Sequence, residues 1–147
     1  MRLSDSMCDT CILDSLTAET RDAVLGELAA ATAHAGILPG DVLRVLRKRE
    51  RLGSTAVGMG VAIPHGTMSG LKRAILVFGR SQRGITCDAP DNKPCHLFFM
   101  VLAPEGAAGR QLAMLGNIAR LAKDETFRNS LMQAKNIGEL RTLFAAV

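Results

Sequence analysis

The spacing of apolar positions changes twice along the chain. From Ala18 to His34 they recur at helical intervals, with Val24, Leu25, Leu28 and Ala31 on one face. Thr17 offers an N-cap oxygen and Gly36 a stop, so the pattern predicts a helix over Ala18–His34. Pro39 opens a second predicted helix that turns Val42, Leu43 and Leu46 inward and Arg44, Arg47 and Lys48 outward, and that closes at Arg49 and Glu50. The middle of the chain reads differently. Cys11–Leu13, Val61–Ile63, Ala74–Gly79 and Cys95–Ala103 are short apolar runs bounded by turn residues, and these are predicted strands. Arg80–Gly84 is polar and predicts a break before a short edge strand at Ile85–Cys87, while Thr67–Gly70 and Ala89–Asn92 read as turns. Helical spacing then returns. Gly109–Lys123 aligns Leu112, Leu115, Ile118, Ala119 and Ala122. Asp124 caps Glu125–Ala134, which buries Phe127 and Leu131. Asn136-x-x-Glu139 is a capping signature for Ile137–Ala146, with Leu140, Leu143 and Phe144 inward. Helices, then strands, then helices predict an α/β domain with a mixed sheet covered on both faces.

Composition narrows the possibilities. The 147 residues suffice for one domain spanning the chain, with residues 1–10 as an N-terminal extension. With no Trp or Tyr the core is aliphatic, filled out by seven Met. A net charge of +4, scattered and without stacking aromatics, argues against nucleic acid. The longest apolar run, Leu97–Ala103, is too short to span a membrane, and the N-terminus lacks an apolar signal core. The cytoplasm is therefore the expected compartment. Cys8-x-x-Cys11 could be half of a zinc site or a redox pair, with Cys87 and Cys95 as further ligands. The second pair is not spaced as a tight knuckle, and Cys95 begins an apolar strand, so Cys87 and Cys95 read as small core residues. Neither a metal, nor a cofactor, nor a disulfide is expected. His34 and His96 read as surface groups.

The chemistry concentrates in Arg49–Gly66. Gly53, Gly58 and Gly60 make the segment turn-rich. Ile63 is held extended before Pro64, and Pro64 fixes its own φ and lacks an N–H, which is expected to end strand pairing there. His65 is thus presented at a strand end on a stiff backbone, and Gly66 leaves room for a ligand to approach the main chain. A lone histidine of this kind is ordinarily a loop residue. Set out in this way it also suits a nucleophile, because a neutral imidazole attacks well near neutral pH.

The run Arg49-Glu50-Arg51-Leu52-Gly53-Ser54-Thr55, followed by Gly60-Val61-Ala62-Ile63-Pro64-His65-Gly66, resembles the signature of type-2 enzyme IIA domains of the bacterial phosphoenolpyruvate-dependent phosphotransferase system. The R-E-R-L-G-S-T wording is most similar to the nitrogen-regulatory branch. Cys87-Asp88-Ala89-Pro90-Asp91-Asn92-Lys93-Pro94 resembles a second block of that family, D-A-x-D-x-x-P. The likeness spans roughly residues 10–146. It implies a three-layer α/β/α domain in which His65 accepts a phosphoryl group from a small HPr-like phosphocarrier and Arg49 clamps charge. Ser54, Thr55, Gly66, Thr67 and Gln111 are the expected phosphate contacts. Many relatives carry a second histidine where Gln111 stands; Gln donates a hydrogen bond but cannot relay a proton. Four readings follow: a regulator with its own target proteins, a transport subunit serving a IIB partner, a contact-only module, and a zinc protein through the four cysteines. On the first two the chain is a phosphotransferase component, not a stand-alone turnover enzyme.

Overall fold

The apolar run at residues 97–103 becomes the middle of β6 (Cys95–Pro104), and the fold is assembled around it. In a computed structural model, which describes residues 2–147, its side chains alternate between the two sheet faces as any strand's must. Phe98, Met100 and Leu102 join Val24, Leu28, Val42 and Leu46 of α1 (Arg21–Ala30) and α2 (Pro39–Glu50). Leu97, Phe99 and Val101 join residues of α3 (Ala108–Ala122), α4 (Glu125–Gln133) and α5 (Ile137–Ala145). Two cores thus lie on opposite faces of one sheet, giving the expected three layers. The second holds four of the five phenylalanines, with the Phe144 ring edge-on to Phe78 at 5.1 Å.

The six-stranded sheet is mixed. β5 (Ile75–Ile85) runs antiparallel to β6, and β1 (Ile12–Leu13) extends it in parallel. The other edge of β6 is occupied by two short parallel strands in succession, β3 (Val61–Ala62) and β4 (His65–Met68). β2 (Ala56–Gly58) pairs back on β3 through a turn in which Gly58, Met59 and Gly60 all have positive φ (89°, 58° and 76°).

Several predicted boundaries move. α1 begins at Arg21, because Thr20 and not Thr17 accepts the capping N–H, here from Ala23. The Thr17 N–H donates instead to the Glu27 carboxylate at 2.9 Å. α1 ends at Ala30, and His34 lies on a separate 3-10 turn, Ala33–Ala35. The polar Arg80–Gly84 segment does not end β5; it is absorbed as an irregularity between Arg80 and Ile85, and Ile85 pairs with Cys95. Asp124 and Asn136 cap α4 and α5 as expected. The Glu139 carboxylate, however, accepts from Lys135, one residue before the cap.

Arg80 is the main surprise of the polar stretch. It is 3% exposed. Its guanidinium donates to the carbonyls of Asp14 (3.0 Å), Leu131 (2.8 Å), Met132 (3.5 Å) and Ala134 (2.6 Å). Three of these belong to the C-terminal end of α4, where unpaired carbonyls and the helix dipole favour a cation.

Candidate functional site

Pro64 decides where His65 sits. Strand pairing lapses only at Ile63 and Pro64, between the end of β3 and the start of β4. The Pro64 carbonyl accepts from the Val101 N–H at 2.9 Å, and β4 then begins at His65, opposite Val101. The expectation that pairing stops at Pro64, and that Thr67–Gly70 is a turn, is corrected: Thr67 and Met68 are strand residues held by the edge of β6. Proline removes one donor; it leaves the acceptor side of the strand intact.

His65 is half-buried, and its Nδ1 lies 2.8 Å from the Ile63 carbonyl. A carbonyl only accepts, so Nδ1 carries the hydrogen and Nε2 keeps the free lone pair. The glycine beside it serves packing. A Cβ on Gly66 would stand 2.3 Å from Val45 Cγ1, so the glycine lets α2 lie directly against β4 and does not admit a ligand. Nor do Gly66 and Thr67 form an anion nest. They are extended residues in register with Leu102 and Ala103, and successive N–H groups of a strand point to opposite sides.

Arg49 follows Val45 by one turn of α2 and shares its face. Its guanidinium donates to the Gly53 carbonyl at 3.0 Å, and among the described residues no carboxylate pairs with it. Gln111, in the first turn of α3, donates from Nε2 to the Gly66 carbonyl at 2.9 Å. That bond brings the start of α3 to β4. The helix N-cap there is Ala107, which supplies no side-chain cap.

Ser54 and Thr55 are placed otherwise. The Ser54 hydroxyl donates to the Cys87 carbonyl at 2.5 Å and accepts from the Ala56 N–H. The Thr55 hydroxyl donates to the Glu50 carboxylate. Both donor hydrogens are therefore committed inside the protein. Glu50, which sequence reasoning left without a role, also receives the Arg21 guanidinium, with Nε at 3.0 Å. Burial works against the Arg21 charge, but the hydrogen bond and charge of Glu50 outweigh it and raise its pKa. The signal was present in the R-E-R-L-G-S-T motif, but its partner Arg21 lies far back in the chain.

The second motif acts on the β2–β3 turn, at the start of β6. The Asp91 carboxylate accepts from the Met59 N–H at 2.9 Å and the Lys93 N–H at 3.1 Å. These backbone bonds hold its carboxyl below the usual range. Cys87 and Cys95 are buried core residues on the α1–α2 side, as expected. His96 is half-buried, with Nδ1 2.9 Å from the Ser81 carbonyl. Leu52 and Leu112, adjacent in sequence to Gly53 and Gln111, are 83% and 72% exposed.

The same fold is found in IIA proteins. The crystal structure of nitrogen regulatory protein IIA-Ntr from Neisseria meningitidis superposes with a TM-score of 0.90 at 32% identity, over 97% of this chain and 98% of that one. The Escherichia coli mannitol IIA in complex with phosphorylated mannitol IIB superposes with a TM-score of 0.81 at 17% identity, over 95% of this chain and 97% of that one, a likeness of fold. The chain belongs to the EIIA 2 family of the phosphoenolpyruvate-dependent sugar phosphotransferase system, whose family model matches residues 7–147. The "Nitrogen regulatory protein" of Bradyrhizobium diazoefficiens is 37% identical over 146 residues, covering 99% of this chain and 95% of the relative. That of Escherichia coli K12 is 35% identical over 118 residues, 80% of this chain and 71% of the relative. The nitrogen-regulatory kinship expected from R-E-R-L-G-S-T therefore holds. Among the described residues no helix is long and apolar enough to cross a membrane.

Proposed function

We propose that this EIIA-type phosphocarrier takes its phosphoryl group on His65 Nε2. The observation that carries the reading is the 2.8 Å bond between Nδ1 and the Ile63 carbonyl, which leaves Nε2 as the nucleophilic atom. Nε2 attacks the phosphorus of a phosphohistidine on a small HPr-like carrier. The donor's N–P bond breaks, its imidazole keeps the electron pair, and a new N–P bond forms at His65. The ring of His65 gains positive charge, which the Ile63 carbonyl meets through the Nδ1 hydrogen. Phosphoryl transfer asks for positioning and charge more than covalent work. Arg49 supplies a guanidinium without a carboxylate partner, and the uncapped start of α3 supplies free N–H groups and the positive end of a helix dipole. Gln111 orients that helix through Gly66. Ser54 and Thr55 shape the loop. Leu52 and Leu112 give a protein donor exposed apolar surface to rest on.

The regulatory role with its own target proteins is favoured by the relatives named for nitrogen regulation. A transport role, passing phosphate to a IIB partner, is the second reading, motivated by the mannitol complex. Incubation with phosphoenolpyruvate, enzyme I and the histidine carrier, followed by intact mass under non-acidic conditions, tests the acceptor. A phosphate-sized gain in wild type that vanishes in His65→Ala is expected. No gain in wild type with an active carrier would leave a contact-only module. Transfer onward to an isolated IIB would favour transport.

A further inference from the structure

Three metal-ligand side chains converge outside the His65 site. Cys8 and Cys11 bracket the turn before β1, and His34 lies on the 3-10 turn after α1. Cys8 Sγ is 2.8 Å from Cys11 Sγ and 3.4 Å from His34 Nδ1. All three ligand atoms lie within 4.8 Å of one another. Cys11 is buried, Cys8 half-buried and His34 exposed, so the cluster is rooted in the protein and open on one side. The cysteines that sequence reasoning offered as completing a zinc site, Cys87 and Cys95, lie in the core among other partners. The third ligand comes from His34, which the sequence alone presents as a surface residue.

We propose that Cys8, Cys11 and His34 form a zinc-binding site. Two thiolates and an imidazole are a borderline-soft donor set that selects zinc over hard cations. With Zn–S near 2.3 Å and Zn–N near 2.0–2.1 Å, tetrahedral geometry separates two sulfurs by about 3.8 Å and a sulfur from a nitrogen by about 3.6 Å. The Cys8–His34 separation already fits. The sulfurs must part by about 1 Å, which rotation of the half-buried Cys8 side chain supplies. Binding releases the two thiol protons to solvent. His34 Nδ1 gives up the hydrogen it now directs at the Ala31 carbonyl, 2.9 Å away, and the neutral ring carries its hydrogen on Nε2 instead. The fourth position is taken by water from a cavity of about 460 Å³ that Cys8 and His34 line together with Lys72 and Arg73. The ion ties the N-terminal segment to the end of α1.

The test uses the full chain, reduced and stripped with a chelator, titrated with Co²⁺ and then Zn²⁺. Thiolate-to-cobalt absorption that saturates at one ion per chain, and that Zn²⁺ bleaches, is expected. Loss of an outer-shell partner alone weakens metal binding by about 10–100-fold, so Cys8→Ser and His34→Ala should each weaken it at least tenfold. Both positions are solvent-accessible, and unchanged circular dichroism verifies that the variants fold. Cys87→Ala and His65→Ala should bind as wild type does, which separates this site from the phosphocarrier reading. The proposal is overturned by absence of the thiolate band in wild type, by unchanged binding in Cys8→Ser, or by equal weakening in Cys87→Ala. It is also overturned if the reduced protein takes up no metal while mild oxidation removes two hydrogens from Cys8 and Cys11, the behaviour of a redox pair.

Discussion

Replacing Gly66 with alanine tests whether α2 positions the His65 strand. The new Cβ would lie 2.3 Å from Val45 Cγ1, well inside the roughly 3.5–4.0 Å at which carbons pack. Val45 has few ways to yield. It is β-branched on a helix, where one χ1 rotamer dominates. Pushing it off that rotamer costs about 0.5–1.5 kcal/mol. Lifting the helix instead would disturb Val42 and Leu46, both fully buried. Overpacking of this kind costs about 1–3 kcal/mol. Loss of glycine's freedom in the unfolded chain returns about 0.4–1 kcal/mol. The net expectation is a loss of about 1–2 kcal/mol, and at about 2–4 °C per kcal/mol for a chain of this size the melting temperature falls by about 2–8 °C. Urea and thermal unfolding of Gly66→Ala, Val45→Ala and the double variant give the coupling. Removing Cγ1 should restore most of the loss, so the two changes should be non-additive by about 1 kcal/mol or more. Phosphorylation of Gly66→Ala should also slow at temperatures where it remains folded, because the neighbouring histidine is displaced. A variant that melts like wild type, or a strictly additive cycle, would refute the argument.

Arg80→Met leaves four carbonyls without their donor, three of them at the end of α4. Urea unfolding should show a loss of about 3–5 kcal/mol, and a loss below 1 kcal/mol would mean that water replaces the guanidinium. The Asp91 carboxyl is held low by the Met59 and Lys93 N–H groups. Its contribution is therefore complete above the unfolded carboxylate pKa of about 3.9 and is lost as pH falls through the lower folded value. Unfolding midpoints measured across this window should decline less steeply for Asp91→Asn than for wild type. Gln111→Glu keeps the side chain's shape but brings a negative charge to the start of α3, so phosphorylation monitored by intact mass should slow at least tenfold, about 1.4 kcal/mol. An unchanged rate would mean that this helix start does not face the phosphoryl group.

The sequence by itself determined whatever depends on neighbours a few residues apart. The helices α4 and α5, their Asp124 and Asn136 caps, and the apolar strand at the heart of β6 follow from backbone sterics and side-chain period, and were readable. α3 was readable as a helix but its buried face was not, because Leu112, expected inward, is 72% exposed while Met114 and Leu121 are buried with Ile118 and Ala122. So was the stiff Ile63-Pro64-His65 segment, because proline restricts itself and the residue before it. The short strands β2 and β4 were not readable. Three or four residues carry too little pattern, and they are strands because Val61 or β6 offers them an edge. Only the tertiary structure gave Gly66 its purpose under Val45, turned Ser54 and Thr55 inward, and set His34 beside Cys8. Arg80 shows the reason most clearly. Its role depends on carbonyls 51 and 54 residues away, and no local propensity records a contact that exists only after the chain has closed on itself.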